Sequence, residues 1–222
     1  VGNNTQVTTI ASGGIVRASG GILTLAGTWT NNGTIGLSAG TVNLGGTYNE
    51  TSVQSARWNR GGSGTSGTVN VSGALTIGGT LQHTSTMGVW RLAGCTIKGG
   101  TLTSTGGTLV GTNTSNVIDG VTFDADLDLA QFNGAQVTIK NVVTLGAGRT
   151  ISIGASNGST YGYVFFAPGA GNVATLAAAT TASVVLGGSA SNQLYDNTGV
   201  STAITIGAGV TVTGGTGAIS PL

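Results

Sequence analysis

Residues 94–145 read GCTIKGGTLTSTGGTLVGTNTSNVIDGVTFDADLDLAQFNGAQVTIKNVVTL, and this stretch decides the fold. Short runs in which Thr, Asp or Asn alternates with Val, Ile, Leu or Phe are separated by Gly-Gly, Asn-Gly, Asp-Gly and Ser-Asn corners. Alternation with a period of two marks strands with one buried face. No run is long enough, or apolar enough at helical spacing, to make a helix. Over Val121–Leu129 the alternation predicts Phe123, Ala125, Leu127 and Leu129 inward and Asp124, Asp126 and Asp128 outward.

The same style extends both ways. Residues 1–47 and 68–98 alternate Val, Ile and Leu with Thr between glycine corners, as do residues 182–222. Gly78-Gly79 and Gly99-Gly100 bracket a repeat of about 21 residues. One such rung cannot bury its apolar face alone, whereas stacked rungs share a continuous core. The expectation is an all-β chain, a parallel β-solenoid forming a single domain over residues 1–222. At about 4.8 Å per rung, nine to eleven rungs would make a rod on the order of 45–50 Å long. Residues 48–67 (YNETSVQSARWNRGGSGTSG) break the rhythm and predict a loop or irregular rung. Arg57, Trp58 and Arg60 in it are candidate ligand or subunit contacts, because loops on rigid scaffolds often carry function. Farther on, Tyr161, Tyr163 and Phe165 alternate and so share a face, a second candidate contact surface for sugar rings or another subunit.

Composition narrows the function classes. Gly accounts for 42 of 222 residues and charged residues for only 6%, against roughly 25% charged in ordinary soluble proteins. Mean hydropathy is +0.29, too high for a disordered chain. The surface must therefore be built largely of Thr, Ser, Asn and Gly, which suits an extracellular material or a carbohydrate-facing protein. Net charge is +1, which offers no electrostatic case for nucleic acid. The charge is asymmetric: residues 1–118 carry five bases against Glu50, net +4, and residues 119–222 carry five aspartates against Lys140 and Arg149, net −3. No apolar run of about 20 residues predicts membrane insertion. Cys95 is the only cysteine and reads as a small buried residue. The start at Val1, without Met, fits a processed chain or an excised segment.

Motifs for chemistry are weak. Gly62-Ser-Gly64-Thr-Ser-Gly67 spells a dinucleotide fingerprint, but a strand follows where a helix must begin. Gly36-Leu-Ser38-Ala-Gly40 spells a nucleophile elbow, again followed by a strand, with His83 as the single histidine. Asp124, Asp126 and Asp128 are the most specific feature. They read as solvated carboxylates, as partners of Lys140, Arg149 or a basic neighbouring subunit, or as ligands for Ca²⁺. A carboxylate pair with Lys140 or Arg149 is also what a polysaccharide-active β-helix enzyme would need. Thr-x-Thr pairs such as Thr101-Leu-Thr103 are scattered rather than arrayed for ice.

GTWTNNGTIGLSAGTVNLGGTY, WRLAGCTIKGGTLTSTGGTLVGT and VIDGVTFDADLDLAQFNGAQVTIKNVVTLGAG resemble the β-helical repeat regions of bacterial surface proteins. These are the filamentous-haemagglutinin-like adhesins and autotransporter passengers. The resemblance covers roughly residues 10–150 and implies a right-handed parallel β-helix, secretion to the cell surface, and adhesive or structural roles. It supplies no catalytic motif. The expected function is non-enzymatic, a cell-surface fibre subunit associating head to tail into filaments, with no cofactor. The alternatives are an adhesin segment holding glycan or host surface, and a polysaccharide-active enzyme.

Overall fold

The computed structural model describes residues 7–60, 67–167, 174–196 and 204–220. It is all-β, with no α-helix among those residues, and every strand-to-strand ladder is parallel. The chain visits its ladders in a repeating order, which makes the architecture solenoid-like. One ladder runs through Val7–Ile10, Thr28–Asn31, Thr47–Asn49, Ala74–Thr76, Thr96–Lys98 and Val117–Asp119. It continues through Ala135–Leu145, Gly162–Ala167, Gln193–Asp196 and Ala218–Ser220. A second starts at Ile15–Leu25 and Thr34–Leu44 and ends at Ala182–Leu186 and Val210–Gly214. A third begins at Thr80–Thr84 and passes through Thr101–Thr105 and Thr122–Asp124. The long strand Ala135–Leu145 belongs to the first ladder in its opening half and to the third in its closing half.

Register explains the core. Parallel pairing sets Leu75, Ile97, Ile118, Ile139 and Phe166 one above another on the first ladder. On the second, Val42, Val69, Trp90, Leu109, Leu127, Ile151 and Val184 form a similar column. Leu81, Leu102, Phe123 and Leu145 do so on the third. All are buried, in one contiguous core running from Ile10 to Leu194. Each such side chain contributes about 1.5–3 kcal/mol by leaving water. Outward positions carry polar ladders instead: Asn70 Nδ2 donates to Asn43 Oδ1 at 2.9 Å, and Asn43 Nδ2 to Thr24 Oγ1 at 3.1 Å.

Corners need a different solution, because the chain turns away from its ladder and leaves backbone groups without a strand partner. Asn116 is fully buried at one corner. Its Oδ1 accepts from Gly94 N at 2.8 Å and Cys95 N at 3.3 Å, and its Nδ2 donates to Thr114 O at 2.9 Å and Gln136 O at 3.0 Å. One side chain thus ties the preceding corner, its own and the following strand. Asn192 repeats the device, accepting from Gly162 N and donating to Thr216 O, each at 3.1 Å. Asn116→Ala removes these bonds and leaves the buried Cys95 N–H unpaired, so a loss of about 2 kcal/mol is expected in urea unfolding; an unchanged midpoint would refute the stapling role.

Residues 48–60 depart from the plain ladder pattern. Two single 3-10 turns, Glu50–Ser52 and Ser55–Arg57, lie against Thr80–Thr84, where the third ladder begins. Asn49 caps the first turn, its side chain accepting from Ser52 N. The rest of the 48–67 segment, apart from Gly67, lies outside the described residues, as does most of the Gly62–Gly67 glycine motif.

Candidate functional site

The strongest local chemistry surrounds the aspartates. Alternation holds across Asp124, Asp126 and Asp128, but they do not sit on one strand. Asp124 closes Thr122–Asp124 on the third ladder, the chain bends at Ala125, and Asp128 lies in Leu127–Leu129 on the second. The bend gives each carboxylate separate partners. Arg149 Nε donates to Asp124 Oδ1 at 2.7 Å, and its NH1 stands 4.0 Å from Asp126 Oδ2. Asp126 Oδ1 accepts from Thr150 N at 2.8 Å. Asp128 accepts from Ala130 N at 2.7 Å and from Gln131 Nε2 at 2.8 Å. Arg149 therefore supplies the ion pair, while Lys140 lies in register with Asp119 on another face. The bond from Asp124 raises the Arg149 pKa, burial opposes it, and the charges of Asp124 and Asp126 add to the rise. Among the described residues, no three His, Cys, Asp or Glu side chains group in a way that would hold a metal ion. The Ca²⁺ expectation for Asp124, Asp126 and Asp128 thus lacks a converging ligand set.

Arg149, Asp126 and Asp128 line one side of an open cleft of about 550 Å³, with Ser104, Thr108 and Ser152 among the other lining residues. Beneath it, buried His83 places Nδ1 3.4 Å from Ser104 Oγ. This is a poor nucleophile–base pair. Ser104 Oγ donates to Gly107 O at 2.9 Å. The imidazole pKa is lowered to about 4, mainly by burial and further by the Arg60 charge, with the Gly88 backbone opposing. A base that weak is ill matched to a serine proton. Ser38, of the elbow-like motif, sits mid-strand in Thr34–Leu44, with Oγ bonded to Ser19 Oγ at 3.4 Å.

The irregular segment turns its large side chains inward. Trp58 is buried, donating Nε1 to Val53 O at 3.1 Å, with its ring 6.1 Å from that of Trp90. Arg60 is buried too, its guanidinium donating to Met87 O at 2.7 Å and Gly67 O at 3.1 Å. Arg57 donates NH1 to Asn32 O. Trp58 and Arg60 therefore fasten the segment to the solenoid and expose little to a ligand, contrary to the contact role their sequence setting suggests. Cys95 is buried beside Asn116, and burial pushes its thiol up to about 12.

Tyr161, Tyr163 and Phe165 do come together. Tyr161 and Tyr163 meet edge to face at 5.4 Å, and Tyr163 stacks on Phe165 at 5.4 Å. Tyr195, which alternation around Phe165 does not reveal, joins from the next strand in register with Phe165, its ring 4.7 Å away. Burial raises the Tyr163 pKa, helped by the neighbouring Tyr161 and Tyr195 hydroxyls.

Val7–Ile10 and Ile15–Leu25 pair on one side only, as do Val210–Gly214 and Ala218–Ser220 at the other end, among the described residues. The inward column that is fully buried at Val42 and Val184 is only half-buried at Leu23 and Val212. Ile219, in register with Leu194, is 50% exposed. No helix is long and apolar enough to cross a membrane among the described residues. Comparison with family models, curated proteins and solved structures returns no match for this chain.

Proposed function

We infer that the protein is a non-enzymatic structural solenoid of the bacterial cell surface, a right-handed parallel β-helix of nine to eleven rungs in a single domain. Its role is to form or belong to a fibre by rung-on-rung pairing. The observation that carries this reading is the parallel register itself, which stacks strand on strand over a continuous buried core from Ile10 to Leu194, an arrangement whose edge strands can pair with further parallel strands. Such edges pair readily with further parallel strands unless something blunts them. A head-to-tail contact of this kind is heterologous and propagates into a filament. The neutral surface of hydroxyls and amides suits an extracellular material.

The overall charge asymmetry contributes little to that contact. Residues 119–128 hold four of the five aspartates, and residues 204–220 hold no ionisable side chain. Electron microscopy of the purified chain is therefore expected to show regular filaments at both low and high salt. Val212→Lys places a charge on the core column and is expected to leave folded, unassembled subunits. Monomers of the unmodified chain at high concentration, by sedimentation, would overturn the fibre reading.

A further inference from the structure

We propose that the face formed by Tyr161, Tyr163, Phe165 and Tyr195 is a binding platform for a neutral polysaccharide. Tyr163, Phe165 and Tyr195 lie on the outward side of a parallel ladder, two strands deep, with Tyr161 just before it; the ring centroids are 5.4 Å apart for Tyr161–Tyr163, 5.4 Å for Tyr163–Phe165, 4.7 Å for Phe165–Tyr195 and 6.3 Å for Tyr163–Tyr195. The ladder backbone holds Tyr163, Phe165 and Tyr195 in place, so little conformational freedom is lost there on binding.

The surroundings select the occupant. In register with Tyr163 are Gln136 on one side and Gln193 on the other, and in register with Phe165 are Thr138 and Tyr195. The next strand adds Ala218 opposite Gln193 and Ser220 opposite Tyr195. None of these positions carries a charge; the nearest charge on the same outward row is Lys140, in register with Ala167 beyond Phe165 and with Asp119 on its other side, so the rings themselves complement a neutral ligand. Phe165, the one ring without a hydroxyl, is buried, while Tyr161, Tyr163 and Tyr195 remain half-exposed. What faces outward is therefore ring surface bearing a polar tip, flanked by amides. That combination matches a sugar, whose C–H faces lie on rings and whose hydroxyls bond to phenols and amides. A protein partner would want a desolvated apolar centre within about 800 Å² of contact, which these three half-exposed rings do not offer. The platform also adjoins the cleft: Thr160 Oγ1, next to Tyr161, donates to the carbonyl of Ala130 on the cleft rim at 2.6 Å. A chain longer than the platform would run on toward the polar groups there.

The test is titration calorimetry with hexasaccharides of glucan, chitin, mannan and xylan, and with heparin as a charged control. Binding of at least one neutral oligosaccharide is expected, weakened roughly tenfold in Tyr163→Ala and kept in Tyr163→Phe, which retains the ring. Tyr195→Ser is a second probe should Tyr163→Ala fail to fold, as judged by circular dichroism. The proposal is overturned if no neutral oligosaccharide binds. It is also overturned if heparin binds as well as they do, or if the folded ring variants change sedimentation but not sugar binding, which would make the face a contact between copies. Filament formation is read separately by microscopy, so either result stands without the other.

Discussion

Gly46→Val is expected to abolish the cooperatively folded solenoid or to cost about 4 kcal/mol or more. Gly46 adopts φ +65°, in the left-handed region, and a Cβ built on it would lie 1.9 Å from the carbonyl oxygen of Gly27 on the preceding strand connection. That oxygen is backbone and has nowhere to go. It accepts the Thr47 N–H at 2.7 Å, and Gly46 O accepts the Ala74 N–H at 2.7 Å. A side chain at Gly46 must prise the corners apart and break both bonds, each about 1 kcal/mol, besides the strain of the left-handed conformation. The obstruction repeats above, since a Cβ on Gly73 would lie 2.3 Å from Gly46 O. Gly148→Ala separates the two causes. Gly148 also has positive φ, +72°, but a Cβ there meets nothing within 4 Å. It carries the backbone strain alone, about 1 kcal/mol. Urea unfolding followed by far-ultraviolet circular dichroism compares the two; similar losses would mean that corner stacking is not what the glycine column protects.

That glycine column shows what a sequence of this kind displays and what it conceals. Strand identity is local: Thr101-Leu102-Thr103 announces its buried face by alternation alone, and Leu102 is buried between Leu81 and Phe123. Register was legible where the corners repeat, since the spacing of Gly78-Gly79 and Gly99-Gly100 matches the pairing of Thr80 with Thr101. The aspartate row was legible as an outward face but not as a corner, because alternation passes through the bend at Ala125 unbroken. Arg149 was one of two candidate partners, and only the fold decides between it and Lys140. Trp58 and Arg60 misled for a physical reason. A Trp between arginines in a polar segment looks like a binding loop, but long side chains can reach carbonyls distant in sequence, as Arg60 reaches Met87. Asn116 carried no signal at all. Its role depends on the corner at Gly94 and on Gln136 in the following strand, whose distances in sequence no short pattern encodes.

The same remoteness conceals the chain's acid sensitivity. His83 is fully buried, with its ring 4.9 Å from Trp90, and Gly107 packs so closely that a Cβ there would lie 2.3 Å from the imidazole. Burial disfavours the charged imidazolium, and the Arg60 guanidinium disfavours it further, so the folded pKa falls from the ordinary 6.5 to about 4. Above pH 6.5 the imidazole is neutral folded or unfolded, and its full contribution to stability is present. Between pH 6.5 and 4 the unfolded chain takes up a proton that the folded chain refuses, so stability falls as the solution is acidified. Below about pH 4 both states are protonated and the loss is complete, about 3 kcal/mol at 1.36 kcal/mol per pH unit. His83→Gln removes this proton. The expected result is that the difference in unfolding free energy between the unmodified chain and His83→Gln is constant above pH 7 and shrinks by about 3 kcal/mol on acidification to pH 4. Carboxylates titrate in both proteins and cancel from that difference. A difference that stays flat from pH 7 to 4 would show that the histidine is protonated inside the fold, and that Ser104 and the surrounding backbone accommodate its charge.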